Sequence, residues 1–145
     1  MFDFTELMRT IHGHVGILAA AALAHPAFLL RPGRAVNRGL RWAAGAATTL
    51  VLATFGAGWA LYPGYRRAPK PQLLREAPGL AWSFETKEHL AFYAVTLAVV
   101  GAVLVFRGPS PTGRRAARWC YGTASLLAFA VAGLGSAVGS WVRSP

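Results

Sequence analysis

Uncharged, largely apolar runs alternate along this chain with short cationic ones. Residues 10–30, 42–65, 90–106 and 119–142 contain no Asp, Glu, Lys or Arg. An α-helix rises about 1.5 Å per residue, so about 20 apolar residues cross the roughly 30 Å hydrocarbon core of a bilayer. The first, second and fourth runs meet that length outright. The third meets it if its approach segment is already helical at residue 87. The pattern therefore predicts an all-α integral membrane protein, a four-helix up-down bundle forming one membrane domain over residues 1–145. Its spans are expected at about 10–30, 42–65, 87–106 and 119–142, with an outward loop over 66–86.

The ends of the runs agree with this reading. Arg31-Pro32-Gly33-Arg34 stops the first helix with proline and glycine and anchors it with arginines. Pro26 lies inside that run and predicts a local kink near His25. Aromatic rings prefer the lipid–water boundary, and Trp42 faces Trp59, Tyr62 and Tyr65 across the second run, as Trp119 and Tyr121 face Trp141 across the fourth. Residues 66–86 contain Pro69, Pro71 and Pro78 but also Leu73, Leu74, Leu80, Trp82 and Phe84, too apolar for a free linker. A short helix or loop lying on the bundle mouth is expected there, with Ser83 as N-cap of the third span. Gly135 and Gly139 form a GxxxG pattern, and Gly16/Ala20/Ala24 and Gly56/Ala60 repeat the spacing. Such faces let helix backbones approach closely, so an oligomer through Gly135 and Gly139 is one expectation.

Composition narrows the solvent. Hydrophobic residues make up 54% and charged residues only 14%, below the roughly 25% of soluble domains. The 15 basic against 5 acidic residues, a formal charge of +10, would suit nucleic acid if the cations were clustered on one surface. They instead flank the apolar runs, so we expect a lipid bilayer as partner and no nucleic acid. Both short links, carrying Arg31, Arg34, Arg38 and Arg41 and then Arg107, Arg114, Arg115 and Arg118, are free of acids. By the positive-inside rule they face the cytoplasm, which puts both termini and the 66–86 loop outward, in what we read as a bacterial cytoplasmic (inner) membrane. Asp3 and Glu6 precede or flank the first cation, Arg9, and the apolar run is longer than a signal-peptide core, so no cleaved signal is expected. The single cysteine, Cys120, excludes an intrachain disulfide and reads as a small apolar helix residue.

Chemistry concentrates at one level. The segment ETKEHLAFY, residues 85–93, turns from charged to apolar through His89. Odd-numbered spans run in the same direction, so the starts of spans one and three share a depth, and His12, His14 and His89 all lie there. Ionisable groups within a membrane are costly and imply a partner. At 100° per residue His12 and His14 point to nearly opposite sides of their helix, so one of them faces the bundle. His14, the deeper, is preferred, with His12 as substitute, although His12 shares a face with Gly16 and Ala20. Across from them His89, Tyr93 and Thr96 form one polar stripe, most easily accommodated against protein.

Two imidazoles from different helices can hold both axial positions of a haem iron, and bundle cores commonly house such cofactors. Four spans with His14 (or His12) and His89 on two helices resemble the small four-helix b-type membrane cytochromes, the cytochrome b561 and CopD-like group. That resemblance implies an electron-transfer protein with one haem b, His14 and His89 as axial ligands, Glu88 and Tyr93 beside them, and quinone or a redox partner subunit exchanging electrons. His25 has no histidine or methionine partner, so a second haem is not expected. Two other readings stand beside it. His14, His89 and Glu85 form a possible transition-metal set, Glu85 and His89 being four residues apart on one helix face. A non-catalytic accessory or assembly subunit of a larger, respiratory-type membrane complex requires no cofactor at all.

Overall fold

The computed structural model describes residues 4–108 and 110–143; the N-terminal Asp3 lies outside them. Five helices follow one another: α1 (Phe4–Leu29), α2 (Arg38–Arg67), α3 (Pro69–Glu76), α4 (Pro78–Phe106) and α5 (Pro111–Arg143). Four of them, all but α3, are long and apolar enough to cross a membrane. The all-α four-span bundle is thus the architecture. Around it, α1 packs on α2 and α5, and α4 packs on the same two, so that α1 and α4 stand diagonally opposite.

Each long helix buries a stripe with spacings of three and four residues. In α1 the stripe is His12, Gly16, Ala19, Leu23, Pro26 and, just past the helix end, Leu30. In α4 it is Lys87, Ala91, Ala94, Ala98, Gly101 and Val105, and in α5 Ala117, Tyr121, Ala124, Ala128, Val131, Gly135 and Val138. All of these are buried or half-buried. That 3.5-residue period is what long helices packed side by side present to one another. Because lipid is as apolar as leucine, small residues on these stripes matter more than bulk, for they let dispersion and backbone contact act at close range. Five alanines, Ala20, Ala44, Ala98, Ala117 and Ala124, have no exposed surface at all.

The tightest point joins α2, α4 and α5. A methyl added at Gly101 would stand 3.0 Å from the Tyr121 ring and 3.3 Å from Cys120 Cβ, so the absence of a side chain is what admits the tyrosine. Tyr121 is wholly buried. Its hydroxyl donates to the Ala44 carbonyl at 3.2 Å and lies 3.0 Å from Thr48 Oγ1, which reaches the Ala98 carbonyl at 3.4 Å. Ser125 likewise donates to the Ala20 carbonyl at 2.8 Å, tying α5 to α1.

Several expectations are corrected. Tyr121 is not turned outward as a boundary ring would be: Trp119 is 68% exposed, but Tyr121 falls on the core stripe two residues on, where its hydroxyl finds partners. Ser83 is not an N-cap, because α4 begins five residues earlier with Pro78 at its first position, where a missing N–H costs nothing; Ser83 Oγ instead donates back to the Gly79 carbonyl. The 66–86 stretch is accordingly almost all helix: α2 runs on to Arg67, α3 lies across the mouth with Leu73 buried beneath it, and α4 begins. Pro26 does lie inside α1 as expected, the helix continuing to Leu29 and closing with Leu30 N–H on the Pro26 carbonyl. Gly56 and Ala60 lie on the exposed side of α2, so that pair of small residues packs on nothing within the chain.

The tight joint predicts an ordering of stabilities. Tyr121→Phe, which leaves Thr48 with a carbonyl partner, should cost about 0.6–1.7 kcal/mol, the usual size of a bond between membrane helices. Gly101→Leu, which drives a side chain into the Tyr121 ring, should cost more, about 1–3 kcal/mol or above. Equilibrium unfolding in mixed micelles should rank them in that order.

Candidate functional site

Two sets of polar side chains occupy the ends of α1 and α4 nearest α3, one turned into the bundle and one turned away from it. Counted along the helices, His12 stands about 28 Å of rise from Arg31 and Lys87 about 30 Å from Arg107, the first cations at the opposite end. They share a depth, as the parallel course of α1 and α4 requires.

His12, not His14, is the inward imidazole. Its ring fills a notch at Gly58 of α2, where an added methyl would stand 2.9 Å from Cε1 and 3.3 Å from Nε2. It also faces the backbone of Thr54, and its Nδ1 is buried without a hydrogen-bond partner. Lys87 enters the same end from α4. Its Nζ sits 4.1 Å from the centre of the Phe84 ring, and its Cδ is 3.5 Å from the position a Cβ would take at Gly135 of α5. Phe84 stacks at 3.7 Å on Tyr65, whose hydroxyl is the second buried polar atom without a partner. The inward site is therefore an imidazole, an ammonium and a phenol, walled by aromatic rings and by two glycines that make room for long side chains. Glu88, half-buried, borders it.

The outward set holds the other expected residues. His14 is exposed and its Nδ1–H donates to the Thr10 carbonyl of its own helix at 2.8 Å; His89 is exposed and does the same to the Glu85 carbonyl at 2.7 Å. Tyr93 is 63% exposed. Thr96 is also exposed, its hydroxyl bonded to the Phe92 carbonyl. The stripe His89–Tyr93–Thr96 thus turns away from the bundle, because the opposite face of α4 carries the small residues that pack. His25 is exposed on α1.

His14 and His89 are not brought together within the chain. The imidazoles of His14 and His89 sit on exposed faces of helices diagonal to one another, each bonded to its own helix. The inward His12 is wedged against Gly58, and the bundle centre is closed by alanines. A metal set of His14, His89 and Glu85 is not gathered either. Glu85 is drawn instead to Lys70 on α3, with which it forms an ion pair. Among the described residues, no group of three or more His, Cys, Asp or Glu is placed to hold a metal ion. Haem and metal binding therefore gain no support from the geometry.

Lys87 was missed because, in sequence, it reads as one more loop cation. Its signal was present in the spacing: it lies seven residues before Ala94 and fourteen before Gly101, on the stripe that packs. Gly135 belongs to the same site and is occupied from within the chain by Lys87, so the GxxxG pattern at 135 and 139 is half used internally.

No family model, curated protein or solved structure matches this chain.

The Lys70–Glu85 pair fixes α3 across the mouth and yields a pH prediction. The hydrogen bond to Glu85 raises the Lys70 pKa above its ordinary value of 10.5, outweighing partial desolvation. A raised folded-state pKa stabilises fully below the ordinary lysine range and is lost as pH climbs through the raised value. Glu85→Gln should therefore speed amide hydrogen exchange in residues 69–76 at neutral pH, by no more than the roughly 0.2–1 kcal/mol of a partly exposed pair. The difference from wild type should shrink once pH passes the elevated lysine value.

Proposed function

We propose that this chain is a non-catalytic accessory subunit that assembles laterally with another integral membrane protein. The observation that supports the reading is the face formed by α2 and α4 at their outward halves. There Phe92 meets Phe55 edge-on at 4.9 Å and Trp59 at 6.2 Å, with Trp59 64% and Tyr93 63% exposed and His89 beside them. Rings held by one another lose little conformational freedom on docking, and Trp and Tyr dominate the energetics of protein contacts. The same face carries an imidazole, a phenol and a hydroxyl in a span whose neighbours are Val, Leu and Ala. His89 Nδ1 and the Thr96 hydroxyl are bonded to their own helix, and lipid tails offer the remaining imidazole nitrogen and the phenol no partner, whereas a protein surface does.

The assembly reading places the chain in a bacterial cytoplasmic membrane, the two arginine-rich links facing the cytoplasm and the α3 mouth facing outward. The asymmetry of the described charges supports this. The two short links hold eight arginines within acid-free stretches, whereas the seven cations of the other side are spread over both termini and residues 66–87. The partner's contacts would then lie in the outward half of the membrane, at the level of His89 and Tyr93.

The experiment is site-directed photo-crosslinking in native membranes, with a photoreactive residue at Tyr93 and, as control, at Leu126 on the exposed side of α5. A discrete heavier species from position 93 alone, lost on Trp59→Ala, is expected. Lipid adducts only, or the same species from both positions, would refute the docking face. The haem alternative is tested on the chain purified from those membranes. A dithionite-reduced minus oxidised spectrum of the purified chain should be featureless, and a haem band abolished by His89→Ala would overturn the non-catalytic reading.

A further inference from the structure

At the end of the bundle opposite α3, a cleft of about 730 Å3 runs along the outside of α2. Its floor is made of Gly45, Ala46, Thr49 and Ala53, residues too small to fill the space beside the helix. Trp42, 69% exposed, stands on one side and Phe106 of α4 on the other, the Phe106 ring reaching to 3.5 Å of where a Cβ would be at Gly45. From Arg38 to Ala53 the cleft follows α2 for about 22 Å of helix rise, and its volume is of the order that binds small ligands, about 300–1,000 Å3.

At its mouth stand Arg38 and Arg41, both exposed. They lie in the first turn of α2, which contains no acidic residue. The nearby Arg31 and Arg114 find partners within the chain, Arg31 over the Phe28 ring at 3.4 Å and Arg114 on the Arg31 carbonyl at 3.3 Å. No carboxylate among the described residues can reach Arg38 or Arg41, because Glu6, Glu76, Glu85 and Glu88 are all at the other end of the bundle. Two guanidiniums at headgroup depth, opening onto an apolar slot that runs into the hydrocarbon, are complementary to an anion carrying an alkyl tail. Guanidinium binds phosphate oxygens through paired N–H donors, and basic pockets beside membrane helices select acidic headgroups.

We propose that this cleft is a binding site for an anionic glycerophospholipid of the adjoining leaflet, its phosphate held by Arg38 and Arg41 and one acyl chain lying along Ala46, Thr49 and Ala53. The site is independent of the docking face, which occupies the other half of the membrane. A zwitterionic lipid fits the slot equally well but brings an ammonium to the arginines, so charge is what discriminates.

The test uses native mass spectrometry of the full chain released from detergent, titrated with phosphatidylglycerol and with phosphatidylcholine of the same acyl chains. Phosphatidylglycerol should bind about ten- to thirty-fold more tightly, the size expected for two cations near a headgroup. The Arg38→Gln/Arg41→Gln variant should fall to the phosphatidylcholine level, while Arg115→Gln/Arg118→Gln, at the same membrane level, should leave the preference intact. Ala46→Trp should block both lipids. If the glutamine variant fails to fold, a phosphatidylglycerol with a photoreactive acyl chain, applied to the wild type, must label residues 42–53. Equal affinity for the two lipids, preference unaffected by Arg38→Gln/Arg41→Gln, labelling elsewhere, or a dimer in place of bound lipid would each overturn the proposal. Binding of free glycerol 3-phosphate as tight as that of the lipid would show an anion site without use of the slot, and would overturn it too.

Discussion

The close approach of α4 and α5 at Gly101 and Tyr121 governs the rest of the bundle. In water, burial of apolar surface would hold helices together even when their packing is loose. Between helices already in lipid that force is absent, and what remains is dispersion at short range and hydrogen bonds that lipid cannot supply. Gly101 supplies the short range by offering bare backbone to the Tyr121 ring. Tyr121 supplies the bonds, because its hydroxyl reaches past α4 to Ala44 and Thr48 of α2, while Thr48 returns to the Ala98 carbonyl of α4. One side chain of α5 thus sets the spacing of two other helices, and Ser125, one turn further on, holds α1 through the Ala20 carbonyl. With those rotations fixed, every other residue's direction follows from its place on a 3.5-residue repeat.

Much of the architecture was legible because lipid imposes a coarse code. Four uncharged runs became four spans, arginines marked one set of ends, and the apolar 66–86 stretch came down on the mouth. What sequence reasoning misjudged was rotation. His14 was preferred over His12 on depth, yet depth differs by only about 3 Å between them, whereas their directions differ by about 200°. The better signal was His12's company: Gly16, Ala19 and Leu23 continue its stripe, and small residues are what a packed face displays. The start of α4 was misplaced for a related reason. Ser83 is a good N-cap by chemistry, but Pro78 fits the first helical position equally well and lies nearer the chain reversal after α3, so the helix begins there.

The same rotation explains why the chain's most polar outward residues and its most polar inward ones are neighbours in sequence. Lys87 and His89 lie two positions apart, which on a helix is about 200°. Once Gly101 turns the small-residue side of α4 toward α5, Lys87 must enter the bundle and His89 must leave it. An aliphatic residue at 87 would pack there at less electrostatic cost. A lysine can be held because its stem lies along Gly135 while its ammonium sits over the Phe84 ring, a cation on the negative face of an aromatic. Phe84 can offer that face only because Tyr65 stacks on its other side, and this aromatic pair belongs to the same small core that seats α3 through Leu73. The mouth helix and the aromatic pair that supports the half-buried Lys87 therefore share one small core, from which the exposed His89, two positions on, is turned away.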